Sequence, residues 1–143
     1  MVSERIVIGN NISELRRMTQ WLRASSAAVD IPQDLVQMLD VCANEAVTNI
    51  ISYAYDDRGR HEINLALTRT DGGARLEIRD DGRPFNVLDA PEHAMPLTLA
   101  DAEAGGLGIH LIRRLMTHCE YRRDAGHNVL CLEAASMLRP GNV

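Results

Sequence analysis

The chain has 143 residues, of which 45% are hydrophobic and 24% charged; its net charge is −5 and its fifteen basic residues are all arginines. This balance is typical of one globular domain. The absence of lysine excludes three classes of protein that need this side chain: P-loop NTPases, kinases of the eukaryotic type and enzymes that form a Schiff base on lysine.

The first part of the chain predicts one strand and two helices. Residues 5–8 form a β-branched run that predicts an opening strand. The next helix should be capped by Asn10 or Asn11 and end before Pro32, and a second helix should cover Gln33–Tyr53. Apolar residues at helical spacing predict one buried stripe on each helix. The stripes consist of Leu15, Met18, Leu22 and Ala27, and of Leu35, Leu39, Cys42, Ala46 and Ile50.

The remaining chain predicts four strands and one helix. The predicted strands are 62–68, 74–79, 120–123 and 128–133, the first two joined by the hairpin signal Asp71-Gly72-Gly73. A helix is expected from Gly106 or Leu107 to about Thr117. Residues 86–104 lack periodicity and predict a long functional or mobile loop. This order of elements predicts an α+β fold with helices on one face of a mixed sheet.

Cellular location and several partners are also constrained. No apolar run is long enough for a membrane helix, and the N-terminus lacks a signal-peptide profile. The odd number of cysteines favours a reducing cytosol, and His110, His118 and Cys119 lack the usual spacing of a metal site. Acidic charge and 3% aromatic residues argue against nucleic-acid binding. We expect a cytoplasmic single domain, residues 1–143, that binds neither membranes nor nucleic acid.

Three short motifs carry groups suited to chemistry. Glu45 and Asn49 are four residues apart on the second helix, where a carboxylate can accept a proton and an amide oxygen can bind Mg²⁺; an ordinary surface pair is the alternative. Asp80-Asp81-Gly82 follows a strand and can receive a ligand's amine, or can be a simple turn. Gly105-Gly106-Leu107-Gly108 opens a helix and can offer amides to phosphate, or can be a hinge.

The order of these motifs resembles the anti-sigma-factor serine kinases, a small branch of the GHKL (Bergerat-fold) ATPases. Glu45-Ala46-Val47-Thr48-Asn49 resembles the N box of that family, Asp80-Asp81-Gly82-Arg83-Pro84-Phe85 its first glycine box, and Gly105-Gly106-Leu107-Gly108 its second. The ending 121–130 resembles the last hairpin of the family. The resemblance implies a two-layer α/β sandwich with a mixed, mostly antiparallel sheet, and ATP binding without lysine.

The resemblance also implies a role for each motif. Glu45 would be the general base for a substrate serine, and Asn49 would bind the Mg²⁺ on the phosphates of ATP or ADP. Asp80 would accept a hydrogen bond from the adenine amino group, with Gly82 beneath the ring. Residues 86–104 would be the ATP lid. The phosphates would rest on the amides of Gly105, Gly106, Leu107 and Gly108.

Two positions depart from the family pattern. Many relatives carry His in place of Tyr53, and some place Thr near the adenine at the position aligned with His127. Residues 86–104 contain no arginine, so any cation on the γ-phosphate must come from elsewhere in the fold.

The resemblance implies a homodimer that sequesters a sigma factor and phosphorylates a serine on a STAS-type antagonist. Arg16, Arg17 and Arg23 on the first helix can form a docking surface or an ordinary solvated face. The leading alternative is an ATP-binding regulatory module that transfers no phosphate. A stand-alone catalytic domain of a sensor histidine kinase is a further alternative.

Overall fold

The fold has two layers, three α-helices packed against one five-stranded sheet. The structure is a computed structural model that describes residues 3–57, 59–89 and 108–135, and the numbers of helices and strands refer to these residues. The strand order is β1-β2-β3-β5-β4, and all four pairings of these described strands are antiparallel. The predicted α+β class is therefore confirmed, but the sheet is antiparallel in all its described pairings rather than mixed. The elements are β1 (Ser3–Gly9), α1 (Leu15–Ala28), α2 (Gln33–Tyr53), β2 (Glu62–Thr70), β3 (Gly73–Asp80), α3 (Gly108–Leu115), β4 (His118–Asp124) and β5 (His127–Ala135).

One face of the sheet is buried beneath the helices, as the alternating apolar residues predict. Leu65, Ile78 and Leu130 lie side by side on three neighbouring strands and are at most 3% exposed. The opposite face carries charged side chains, including an ion pair in which Arg75 Nε lies 2.8 Å from Glu133 Oε1. An antiparallel sheet tolerates this division because successive side chains point to opposite faces.

Helix α2 is the central helix, and its predicted bounds and stripe are confirmed. It contacts α1, α3, β3 and β5. Burial raises the pKa of the Cys42 thiol to about 12, which keeps this thiol protonated and unreactive. The predicted stripe residues are all at most 2% exposed: Leu35, Leu39, Cys42, Ala46 and Ile50.

Helix α1 differs from its predicted pattern near its C-terminal end. Met18 and Leu22 are fully buried, but Ala27 is exposed and Ser25 and Ser26 are buried instead. In a helix of 3.6 residues per turn, positions three and four after Leu22 return to the core, whereas the fifth is rotated away from it. The prediction for Ala27 was therefore wrong because apolar character was given more weight than helical phase.

The ends of α1 and α3 differ from the predicted ones. The N-cap residue of α1 is Glu14, which makes no side-chain capping hydrogen bond, so neither Asn10 nor Asn11 caps α1 itself. Asn11 Oδ1 accepts from Ser13 N at 3.0 Å and caps a one-turn 3-10 helix, Ile12–Glu14, that precedes α1. Helix α3 ends two residues before the predicted Thr117, because Thr117 N donates to Glu133 O at 2.8 Å and thereby joins the sheet edge.

Candidate functional site

The first part of the site is one face of α2. Glu45, Asn49 and Tyr53 follow at four-residue intervals and therefore share a face of the helix. Asn44 points elsewhere, because its Nδ2 donates to Asp40 O at 2.8 Å and contacts Thr19 Oγ1 of α1 at 3.3 Å. Glu45 and Asn49 are half-buried and make no side-chain hydrogen bond to any described residue. Half-buried polar groups without protein partners are available to a ligand.

The carboxylate of Glu45 has an altered acidity. Its pKa is raised because burial removes part of the solvation of the charged form. A raised pKa brings a carboxylate closer to neutrality and strengthens it as a base towards a hydroxyl group. The residue that the sequence predicts as general base thus lies in an environment that favours proton transfer.

The second part of the site is the turn that follows β3. Asp80 is only 1% exposed, and its Oδ1 accepts from Gly82 N and from Asn128 Nδ2, both at 2.9 Å. Burial raises the pKa of the Asp80 carboxyl, while these two hydrogen bonds act in the opposite direction. Among the described residues no hydrogen bond reaches Oδ2. One carboxylate oxygen is fixed, and the other remains able to accept from a ligand.

Contacts at the C-terminus of α2 join the two parts. Arg83 N donates to Ala54 O and Arg83 Nε donates to Tyr53 O, each at 2.8 Å. The rings of Tyr53 and Phe85 are tilted against each other with centroids 5.8 Å apart. The turn 80–85 is therefore held against the C-terminal end of the helix that carries Glu45 and Asn49.

Gly82 has a packing requirement of its own. A Cβ atom at this position would lie 2.5 Å from Ala54 O and 2.8 Å from Ala54 Cβ. Only glycine allows the turn to approach the end of α2 so closely. Its predicted place beneath an adenine ring stays a prediction.

Asn128 is a site residue that the sequence reasoning missed. Its side chain is 3% exposed and contacts Asp80, whereas the ring of His127 contacts Ala125 O at 3.2 Å. The residue of this hairpin that reaches Asp80 is therefore Asn128, one position beyond His127, and the place of either residue near an adenine stays a prediction. The strand register carries the missing information, since Asn128 is the partner of Asp80 in the β3–β5 pairing.

The third motif is described only in part. Gly105, Gly106 and Leu107 lie outside the described residues, as do residues 90–104 of the predicted lid, and Gly108 is the first residue of α3. Cys42 Sγ lies 3.9 Å from Leu111 O, so the first turns of α3 lie against α2. Arg113 NH2 donates to Leu88 O at 2.6 Å and ties α3 to the start of the predicted lid. The phosphate contacts of this motif stay a prediction.

A charged cluster lies beside the turn. His61 Nε2 is 2.7 Å from Asp57 Oδ1, and His61 Nδ1 is 3.3 Å from Asp81 Oδ1. The imidazole stacks on the ring of Tyr55 with centroids 4.4 Å apart. The hydrogen bond to Asp57 is the main cause of a raised His61 pKa, and it lowers the pKa of Asp57.

We expect this cluster to make folding stability depend on pH. The His61 pKa is raised on folding, so the stabilisation is complete below its unfolded value of about 6.5 and is lost as the pH rises through the folded value. Denaturant midpoints at pH 6 and pH 8 should differ less in His61→Gln than in the wild type. His127→Gln, whose ring has no carboxylate partner among the described residues, should keep the wild-type difference. Equal differences in all three proteins would contradict the prediction.

Known relatives identify the family of the chain. Residues 9–134 match a family model described as Histidine kinase-like ATPase domain. The chain belongs to the histidine kinase-like ATPase family. The serine/threonine-protein kinase BtrW of Bordetella bronchiseptica is 35% identical over 98 residues, which are 68% of this chain and 69% of that kinase. An anti-sigma F factor of Bacillus licheniformis is 29% identical over 92 residues, or 63% of this chain and 62% of that factor.

The fold of this ATPase domain also occurs in a solved structure. The structure is similar to that of the RsbU and RsbW domains of a Mycobacterium tuberculosis protein, with a TM-score of 0.64 and 16% identity over 94% of this chain and 32% of that one. The resemblance inferred from the motifs is confirmed, and membership of the family implies that the domain binds ATP. No helix in the described part of the chain is long and apolar enough to span a membrane.

Proposed function

We propose that this ATPase domain is a protein-serine kinase and anti-sigma factor, located in the cytoplasm, that transfers phosphate from ATP to a serine on a STAS-type antagonist. The observation that carries the proposal is Glu45, a half-buried carboxylate with a raised pKa that lies one helical turn from Asn49 and has no partner among the described residues. The names of the related kinase and anti-sigma factor support the same role.

The geometry suits a transfer to a hydroxyl group. Glu45 accepts the proton of the substrate serine, and the serine oxygen forms a bond to the γ-phosphorus while the bond from that phosphorus to the β–γ bridging oxygen breaks. ADP leaves with that oxygen. The proposed proton transfer requires only that Glu45 be ionised when the serine arrives.

Nucleotide and metal would be held by the other predicted residues. Asn49 presents an amide oxygen, a hard ligand of the kind that suits Mg²⁺, on the same helical face as Glu45. Bound Mg²⁺ would neutralise charge on the phosphates. Asp80 would accept a hydrogen bond from the adenine amino group, with Gly82 beneath the ring. Residues 86–104 would be the ATP lid of a single domain, residues 1–143. Amides of Gly105, Gly106, Leu107 and Gly108 would hold the phosphates at the start of α3.

The partner surface would lie on α1. Arg16 and Arg23 are exposed and have no ion-pair partner among the described residues. Arg17, by contrast, is engaged, since its Nε lies 3.0 Å from Glu14 Oε2 and its NH2 donates to Val7 O at 2.6 Å. We therefore assign docking of a sigma factor or an antagonist to Arg16 and Arg23 rather than to all three arginines. We also propose that the protein forms a homodimer, as the resemblance implies.

The test is transfer of label from γ-labelled ATP to a candidate STAS-domain protein. Phosphoserine on the antagonist is expected, and substitution of its acceptor serine by alanine should remove the signal. Nucleotide binding without any labelled serine would contradict the kinase and favour the regulatory module that only holds its partner. Label on a histidine would favour a histidine kinase instead.

A further inference from the structure

Asn128 is the centre of a hydrogen-bond network around Asp80, at the candidate binding site for the adenine base. Its Nδ2 donates to Asp80 Oδ1 at 2.9 Å and to Arg83 O at 2.8 Å. Its Oδ1 accepts from Phe85 N at 3.1 Å, Tyr121 OH at 2.6 Å and Arg123 NH1 at 3.1 Å. Both amide hydrogens and the carbonyl oxygen are thus used, within a side chain that is 3% exposed.

This network exists because of the strand register. Arg123, Asn128 and Asp80 are successive partners across β4, β5 and β3, so their side chains share the inner face in one row. Arg123 NH1 also donates to Gly82 O at 2.8 Å. These side chains therefore hold the turn 80–85 at two points, the backbone oxygen of Gly82 and the carboxylate of Asp80.

The donors on Asn128 determine which oxygen of Asp80 is available. Asn128 Nδ2 and Gly82 N both bind Oδ1, and no described residue binds Oδ2. Without the amide of Asn128, a buried carboxylate would lose one of its two hydrogen bonds and could rotate. The orientation of Oδ2 thus depends on Asn128, although Asn128 itself has no bonding capacity left for a ligand.

We propose that Asn128 is a positioning residue for base selection: it holds the Asp80 carboxylate so that Oδ2 accepts from the 6-amino group of adenine. The inference rests on the proposed nucleotide role of Asp80. It predicts that Asn128 affects the discrimination between bases, whereas a residue that only stabilised the fold would affect all nucleotides alike.

The experiment compares binding of ATP with binding of purine riboside triphosphate, which carries hydrogen in place of the 6-amino group. A hydrogen bond to a charged acceptor should give the wild type a preference for ATP of about 10- to 100-fold. Asn128→Ala should reduce this preference to about threefold or less, mainly by weakening ATP binding. Asn44→Ala, which removes a hydrogen-bonded asparagine between α1 and α2, should keep the wild-type preference.

A second variant keeps the test decisive if Asn128→Ala does not fold. Asn128→Asp preserves shape but places a carboxylate beside Asp80 and Arg83 O, with Phe85 N, Tyr121 OH and Arg123 NH1 as its other neighbours. Ionised, it cannot donate to Asp80; protonated, it can. Its preference for ATP should therefore rise as the pH falls from 8 to 6, relative to the wild type measured at the same pH values.

The outcomes separate this inference from the proposed function. If the wild type binds neither nucleotide, the proposed function is wrong. If it binds both equally, the assignment of Asp80 and the inference are wrong together. If the wild type prefers ATP and either Asn128→Ala or Asn128→Asp retains that preference at every pH, the inference alone is overturned.

Discussion

Replacing Glu45 by glutamine should lower the rate of serine phosphorylation by about 10²- to 10⁴-fold, the usual contribution of a general base. Glutamine preserves the size of the side chain but cannot accept the proton of the hydroxyl group. Because no described residue depends on Glu45 for a hydrogen bond, the variant should fold and bind ATP as the wild type does. Initial rates of label transfer, with ATP affinity measured in parallel, check both statements.

A matched control for this variant lies on the opposite face of the sheet. Glu77 is also a half-buried carboxylate, but it belongs to the charged face that the helices leave open. Glu77→Gln should therefore keep wild-type transfer. A rate for Glu45→Gln within about threefold of the wild type would rule out Glu45 as the base, and a parallel loss of ATP affinity would point to a binding role instead.

The elements of the fold were predictable where hydrophobic periodicity is strong. The stripe of α2 combines helical spacing with near-complete burial, and no competing pattern was present. Prediction failed at the C-terminal end of α1, where the polarity of a residue and its position around the helix disagree. Ser25 and Ser26 are polar but buried, whereas Ala27 is apolar but exposed. A prediction from hydrophobic periodicity depends on which residues are apolar, whereas burial depends on where each residue lies around the helix.

The candidate site shows a similar division. Glu45, Asn49 and Asp80 could be selected because each is a polar residue within or directly after an apolar pattern. Asn128 could not be selected in this way, because its importance comes from a partner 48 residues away that the sheet register brings next to it. Contacts between distant strands depend on register, and a single sequence gives no direct record of register.

Gly82→Ala is the variant for which we expect the largest structural effect near the site. The new methyl group would overlap Ala54 O, a backbone atom at the end of α2 that cannot turn away as a flexible side chain would. Relief of this overlap requires the turn 80–85 to move, which costs about 1–3 kcal/mol of stability by analogy with other overpacked sites. Movement of the turn also breaks the hydrogen bond from Gly82 N to Asp80 Oδ1.

Two measurements on Gly82→Ala distinguish a local from a general effect. Urea unfolding should show the loss of stability, and ATP affinity should fall by at least about tenfold because the carboxylate of Asp80 loses a donor. Gly9→Ala is the matched control, since its Cβ atom would meet only Glu14 side-chain atoms at 3.6 Å or more and its backbone is not left-handed. That control should keep both properties. If Gly82→Ala is as stable as the wild type, the end of α2 can move to accommodate the methyl group, and the expected loss of stability is wrong. If the variant is less stable but binds ATP as the wild type does, the turn 80–85 does not contribute to nucleotide binding.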